Sequence, residues 1–414
     1  MSDACHHRNT CRLCGGTSLT KVLALKASPP ANAFVSVDQR DQQQQAFPLD
    51  LYFCEDCHHV QLLDVVDPRV LFENYVYVSG TSPVFVKHFT DYAAYVIDNY
   101  GPTPSSLIFD IGSNDGTLLK AFKNLGFRVL GVDPAKDIAA NATTAGIPTL
   151  TGFYSPAMAK EIRAEHGTAS IITANNVFAH IDDLGSVLDG IRLLIDDDGV
   201  FVFEVSYLVD VFEHTLFDTI YHEHLAYHTV GPLAAFMRAH DMELIDAVRV
   251  PSHGGSLRAV AQPKSGSRPI SPSVNNLVQV ENEMGLNKAE TYVDFGTRIG
   301  LLGNQLSARL RDLKAKGQSI AAFGAPAKAT TLMYHFEIGP DLIDFIVDDS
   351  PLKQGLYSPG MHIPVVPSSA IYDKKPDVIV ILAWNFAHPI MEKHKQFTES
   401  GGTFIVPLPQ LEMY

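Results

Sequence analysis

Residues 107 to 116, Leu107-Ile108-Phe109-Asp110-Ile111-Gly112-Ser113-Asn114-Asp115-Gly116, decide how the rest of the chain is read. Leu107 to Asp110 is the apolar run of a buried parallel strand, Gly112 to Gly116 has the composition of a tight turn, and Thr117 to Leu125 resumes with helical spacing. A strand that ends in a Gly-rich turn opening a helix lets a ligand approach bare backbone. Roughly twenty residues further on, a second apolar strand, Phe127 to Val132, ends in Asp133-Pro134, where a carboxylate is placed to accept hydrogen bonds from the two hydroxyls of a ribose. The turn departs from the dinucleotide pattern G-x-G-x-x-G, because only Gly112 and Gly116 are present.

The bulk numbers bound what the chain around this stretch can be. At 414 residues it is long for one core, so two or three domains are expected. A hydrophobic fraction of 46% with 19% charged residues is that of a globular protein. Net charge of −15 argues against nonspecific binding to nucleic acid or to an anionic membrane surface, both of which need basic patches. No apolar run reaches the ~18 residues of a membrane span. The first residues, Met1-Ser2-Asp3-Ala4-Cys5-His6-His7-Arg8, are polar and lack a signal-peptide core, so a cytoplasmic protein is expected.

All five cysteines, at 5, 11, 14, 54 and 57, fall in the first 57 residues, a crowding unlike a disulfide-stapled secreted chain. Cys11-Arg12-Leu13-Cys14 and Cys54-Glu55-Asp56-Cys57 are two C-x-x-C knuckles whose four thiolates suit tetrahedral Zn²⁺. Four protein ligands leave no open position, so the zinc is read as structural. A redox C-x-x-C is the competing reading, but no βαβ context surrounds it. Cys5, His6 and His7 are read as a disordered tail.

Between this unit and the strand at 107 runs an aromatic connector, Leu71 to Gly80, in which Tyr75 and Tyr77 share a strand parity and Ser79 precedes the final glycine. Val84 to Tyr100 then has the pattern of an amphipathic helix. From 107 onward strand and helix alternate, with strands expected near 107–111, 128–132, 148–151, 169–173, 198–204, 241–249 and 256–262. In such sheets ligands sit beyond the carboxyl ends of the strands. That rule places Phe153, a candidate to flank an adenine, and Asn175, Asn176 and His180 on the binding edge.

An insert at 205–240 carries Tyr221-His222-Glu223-His224 and then Tyr227-His228. The segment lacks the i, i+4 spacing of a helical zinc pair, and it can also be a polar surface loop. General acid–base chemistry is the third reading, with a histidine beside a glutamate held in one tautomer. Ser252-His253-Gly254-Gly255-Ser256-Leu257-Arg258 reads either as a turn into the last strand or as a cradle in which His253 and Arg258 meet phosphate or sugar.

Residues 264 to 275 read as a Pro/Ser-rich linker, followed by a long helical stretch, Val280 to Lys316. A second α/β unit then repeats the strand–turn–helix pattern: Ser319 to Phe323, the turn Gly324-Ala325-Pro326-Ala327-Lys328, and Ala329 to Phe336. Further strands are expected at Leu342 to Val347, Asp377 to Leu382 and Thr403 to Val406. A single glycine in G-A-P-A-K makes a second dinucleotide site a poor reading. Lys328, near a helix start, is placed to meet a phosphate instead, and Asn385 stands at the tip of a strand.

D-I-G-S-N-D-G-T looks like the first motif of the class I S-adenosylmethionine (SAM) methyltransferases. In order, C-x-x-C…C-x-x-C, the Tyr-rich connector, D-I-G-S-N-D-G, N-N-V-F-A-H, Y-H-E-H, H-G-G-S-L-R and G-A-P-A-K resemble, over nearly the whole length, the three-domain C-methyltransferases of nucleotide-linked deoxysugars. The thymidine-diphosphate sugar C-3′-methyltransferases of antibiotic pathways are examples. The resemblance implies an α/β chain in three parts: a zinc-binding domain (1–75), a central Rossmann-like SAM domain (76–265), and a C-terminal Rossmann-like domain (266–414) that contributes to binding a nucleotide-linked 4-keto deoxysugar. It further implies that Asp110, Gly112, Ser113, Asn114, Gly116, Asp133, Pro134, Phe153, Asn175 and Asn176 hold SAM. By the same resemblance Tyr75, His180, Tyr221, Glu223 and His224 are active-site positions, His224 being the base. Tyr77, Ser79, His253, Arg258, Lys328 and Asn385 are then the candidate substrate contacts.

Overall fold

The computed structural model describes residues 4–72, 80 and 83–414, with His253 described by its backbone alone. Its central element is a seven-stranded sheet: β1 Leu107–Ile111, β2 Arg128–Asp133, β3 Thr149–Thr151, β4 Ala169–Asn175, β5 Ile195–Ser206, β6 Met242–Val250 and β7 Ser256–Pro263. The spatial order is β6-β7-β5-β4-β1-β2-β3, parallel except for β7, which runs against both neighbours. Chain order reverses between β1 and β4, so the crevice for a ligand opens at their carboxyl ends, directly over the Gly112 turn. β1 is buried at every position, as a central strand covered on both faces must be.

One face of the sheet is covered by helix Pro83–Tyr100 and helix Thr117–Asn124, where Tyr92, Val96, Leu119 and Phe122 pack on Ile108, Val200 and Val202. The core of the opposite face runs without a break into the zinc-bearing part and into the C-terminal part. The antiparallel strands Leu19–Ser28, Phe47–Cys54 and Val60–Leu62 form a sheet whose fourth strand, Ala226–Tyr227, comes from the insert after β5. A segment of the methyltransferase insert is therefore woven into the N-terminal domain.

The C-terminal sheet orders as Val365–Val366, Ile346–Val347, Ile320–Phe323, Val378–Ile381, Thr403–Val406 and Glu412–Met413, parallel up to the last pair. Among the described residues no helix is long and apolar enough to cross a membrane.

Four expectations are corrected. Cys5–His7 is not a loose tail but a strand paired with Asp64–Val66, and His7 bonds Asp64 at 3.0 Å. The linker ends at Ser271, whose hydroxyl caps helix Pro272–Glu283; proline at the first helical position suits that start. The long helix is two, Pro272–Glu283 and Ala289–Ala315, because Gly285 takes a left-handed φ of 71° between them. The strand expected over 342–347 is only Ile346–Val347.

Candidate active site

The cofactor turn is shaped by its glycines. Gly112 and Gly116 have φ of 69° and 76°, and a Cβ on them would lie 2.4 Å from Val177 Cγ2 and 2.7 Å from Ile147 Cγ2. Side chains larger than hydrogen are excluded there by conformation and by space. Asn114 also takes a left-handed φ of 50°, and its N–H donates to Asp133 at 2.8 Å. Ser113 is buried against Gly131, where a Cβ would lie 2.2 Å from the serine oxygen, a requirement the motif alone does not announce.

Asp133 also accepts from the Ala135 N–H at 2.9 Å. Two backbone donors leave further lone pairs on its two oxygens for ribose hydroxyls. Asp110 lies beneath the turn: burial pushes its carboxyl up to about 7, opposed by the Thr173 hydroxyl that donates to it at 2.6 Å. Pro134 is half-buried beside this edge, and Phe153 leaves 46% of its surface exposed at the end of β3. Bare backbone, an acidic acceptor and an open aromatic face fit the adenosine of SAM. Held there, SAM supplies a methyl group.

The tail of β4 joins this edge to the histidines. Asn176 donates its N–H to the Glu204 carbonyl at 2.7 Å, Val177 packs on Gly112, and the Ala179 carbonyl accepts from Leu225 and Ala226 at 2.8 and 3.1 Å. His180 is thereby set against His224, ring centroids 5.0 Å apart and 22° from parallel. Phe72 stacks on the outer face of His180 at 5.5 Å, and Tyr221 lies 4.2 Å from the His224 ring. Four rings form one pile.

His224 Nδ1 lies 2.8 Å from the Thr219 carbonyl, which can only accept, so Nδ1 carries the hydrogen and the neutral ring keeps its lone pair on Nε2. The tautomer is set by a backbone carbonyl, not by Glu223. Glu223 is buried and accepts from Asn32 of the zinc-bearing part at 3.0 Å. The other members of the cluster are scaffold. His222 bonds the Phe47 carbonyl at 3.2 Å, and His228 stacks on His59 and Phe178; burial holds both histidines down to about 4. Tyr227 is buried as well.

Two expected substrate contacts have partners inside the protein. Arg258 is 8% exposed, bonds Glu204 at 2.7 Å and stacks over Tyr92 and Tyr95, so its charge is spent inside the protein. Lys328 is half-buried over the Trp384 ring with Asp218 3.9 Å away. Asn385 is exposed beside Phe386. His253 sits in the short turn Ser252–Gly254, and Tyr75, Tyr77 and Ser79 lie outside the described residues. Asn32, Glu204 and Asp218 were not legible as site residues, because each acts through a partner far away in the chain, and Thr219 was not because it acts through its backbone carbonyl.

The four cysteines of the knuckles converge: Cys11–Cys57 and Cys14–Cys54 Sγ pairs are each 3.6 Å apart, and all four sulfurs lie within 4.8 Å of one another. Thiolates at ~2.3 Å around a tetrahedral Zn²⁺ stand about 3.8 Å apart, so the set fits the ion. Arg12, between two of them, reaches the Leu62 carbonyl and, at 3.3 Å, the Leu225 carbonyl next to His224.

Three family models match the chain: a zinc binding domain over residues 11–72, a methyltransferase domain over 87–247 and a C-methyltransferase C-terminal domain over 251–409. The C-methyltransferase NovU of Streptomyces niveus is 33% identical over 410 residues, covering 99% of this chain and 98% of that one. The chain belongs to this C-methyltransferase family. It is a SAM-dependent C-methyltransferase with a zinc-binding N-terminal domain, and its substrate is a small molecule. A ubiquinone biosynthesis O-methyltransferase of Rhodopseudomonas palustris is also 33% identical, but over 96 residues, 23% of this chain and 38% of that one. Among solved structures, a SAM-dependent methyltransferase from Clostridium acetobutylicum is 12% identical with a TM-score of 0.35, covering 44% of this chain and 92% of that one. Magnesium protoporphyrin IX methyltransferase from Synechocystis PCC 6803 is 13% identical with a TM-score of 0.34, covering 42% of this chain and 82% of that one.

Proposed function

We propose that this C-methyltransferase adds a methyl group to a carbon, C3, beside the 4-keto group of a nucleotide-linked deoxysugar. Thymidine diphosphate is the nucleotide that the motif resemblance implies. The observation that carries the reading is the Nδ1 bond of His224 to the Thr219 carbonyl, which leaves Nε2 free of its own hydrogen and ready to take a proton. A ketone acidifies the hydrogen on the neighbouring carbon. His224 Nε2 removes it, and the electron pair moves onto the ketone oxygen. Tyr221 and His180, both packed against His224, are the donors at hand for that oxygen. When bound, SAM supplies the methyl that the resulting carbanion carbon attacks.

The protein's larger contribution is placement. The tail 175–180 packs on the cofactor turn at Val177 and on the base at His180, so donor and acceptor are held by one short segment. In this reading the chain divides at 75 and 265, Tyr75 belongs with the active-site residues, and Tyr77, Ser79, His253 and Asn385 are substrate contacts that the motif resemblance implies.

The test is incubation with SAM and a panel of thymidine-diphosphate 4-ketosugars, reading product mass and the methylated position by NMR. Deuterium incorporation beside the ketone without SAM isolates the first step, and His224→Gln is expected to slow it by about 10²- to 10⁴-fold. A methyl found on oxygen or nitrogen, with no exchange at carbon, would remove the enolate step.

A further inference from the structure

The carbonyl that sets His224 belongs to a buried turn, Phe217–Thr219, and the grip on that turn comes from the C-terminal domain. Asp218 is fully buried. Its Oδ2 accepts from Trp384 Nε1 at 2.7 Å and lies 3.9 Å from Lys328 Nζ, while its Oδ1 has no hydrogen-bond partner. The Lys328 ammonium sits 4.0 Å from the centroid of the Trp384 ring, a favourable cation–π placement in a desolvated setting. On the same turn Thr331 Oγ1 donates to the Ile220 carbonyl at 2.9 Å, and Phe217 packs on Phe336 with centroids 5.0 Å apart.

Lys328 and Trp384 stand at the carboxyl ends of adjacent C-terminal strands, where a Rossmann-like domain would otherwise meet a nucleotide. Here that edge is turned onto the base. Burial pushes the Asp218 carboxyl up and the Lys328 ammonium down, each opposed by the other, so neither charge is stable there without its partner.

We propose that Lys328, Asp218 and Trp384 form a positioning clamp through which the C-terminal domain fixes the 217–219 turn, and with it the tautomer and orientation of His224. The clamp is a set of positioning residues, none of them catalytic, and its role in turnover rests on His224 being the base proposed above. It predicts that disturbing a site in the third domain alters the chemistry of a histidine in the second.

The experiment compares Lys328→Met and the milder Trp384→Phe with wild type in the full-length zinc-loaded protein. Ring-nitrogen NMR of histidine-labelled protein, with the His224 signals identified by their loss in His224→Gln, reads the tautomer directly. Trp384 is the single tryptophan of the chain, so its emission reports the clamp in Lys328→Met without another indole in the way. Expected in Lys328→Met are a shifted emission, a His224 no longer confined to the Nδ1–H form, and a fall in SAM-independent deuterium exchange of about a hundredfold, with KM within about twofold of wild type. Trp384→Phe keeps the bulk and loses the bond to Asp218, and is expected to lose about tenfold. An unchanged His224 tautomer in both variants overturns the clamp. A raised KM with unchanged kcat overturns it too, making Lys328 a substrate contact. If the tautomer loosens in both variants while exchange and methyl transfer hold, the clamp stands and the assignment of His224 as base falls.

Discussion

The Gly112–Gly116 turn and the Tyr221–His224 segment both follow strands of one sheet at its carboxyl edge, yet they are built in different ways. The cofactor turn is made largely by its own neighbours in sequence: Gly112, Gly116, Gly131 and Asp133 lie within one strand–helix–strand unit, and Ile147 and Val177 supply walls from further along the chain. The Tyr221–His224 segment is held by all three parts of the chain. Thr219 fixes His224, Asn32 reaches Glu223 from the zinc-bearing domain, Leu62 and Arg12 hold the Leu225 carbonyl, and Thr331 and Trp384 grip the 217–220 turn from the C-terminal domain. A binding turn can be a local motif because backbone conformation makes it. An oriented side chain needs partners from several directions, and a fold brings them from wherever it has surface.

Arg258→Met is the strongest challenge to that contrast, because Glu204 is the place where the cofactor edge also depends on distant partners. Burial alone would raise the Glu204 carboxyl, but His88 at 2.7 Å and Arg258 at 2.7 Å hold it below its ordinary range. Removing the guanidinium strands a buried charge, which costs about 3–5 kcal/mol of stability. The Glu204 carbonyl also accepts from Asn176, so disorder should reach the cofactor edge first. Denaturant unfolding measures the loss, and titration calorimetry at low denaturant should show SAM affinity weakening while His224-dependent exchange persists. A loss under about 1 kcal/mol would mean that His88 suffices as partner.

The same contrast explains what could be read from the chain beforehand. Strand β1, the turn and Asp133 were legible because apolar runs, positive-φ glycines and a strand-end acid are local signatures, and the two C-x-x-C knuckles announced a metal site whose sulfurs do converge. In Y-H-E-H the residues were visible but their division of labour was not. His222 and His224 differ by two positions, and only packing against Phe47 on one side and Thr219 on the other makes one scaffold and one base candidate. Arg258 and Lys328 show the complementary case: a cation near a strand end suggests phosphate, and the acids beside them, Glu204 and Asp218, are 54 and 110 residues away. No periodicity reports such a pairing.

Gly112→Ala sharpens the comparison from the cofactor side. Its Cβ would press on Val177 at 2.4 Å, and the left-handed backbone at φ 69° adds about 1–2 kcal/mol of strain. SAM affinity should fall about tenfold to a hundredfold by calorimetry. SAM-independent deuterium exchange should stay within about threefold of wild type, since the His224 pile is anchored elsewhere. Equal losses in both would show that Val177 transmits the strain along 177–180, and the two regions would then have to be treated as one.

The smallest effects are in pH dependence, where the two regions should respond with opposite sign. Burial holds His222 and His228 down to about 4, so the folded protein binds fewer protons than the unfolded chain between about 4 and 6.5. Their contribution is present above about 6.5 and is lost as pH falls through about 4. Asp110 is raised to about 7 by burial, so there the folded protein binds more protons; its contribution is present below about 4 and is lost as pH rises through about 7. The two slopes partly cancel between pH 5 and 7 in the wild type, and substitution separates them. His228→Phe, which keeps a ring against Phe178, should lessen the loss of stability on acidification from pH 7.5 to 5 by about 2 kcal/mol. Asp110→Asn, which keeps an acceptor for Thr173, should steepen that loss by a similar amount. Urea unfolding at the two pH values checks both. No change in one variant would mean that the group it replaces keeps its ordinary ionisation in the folded protein.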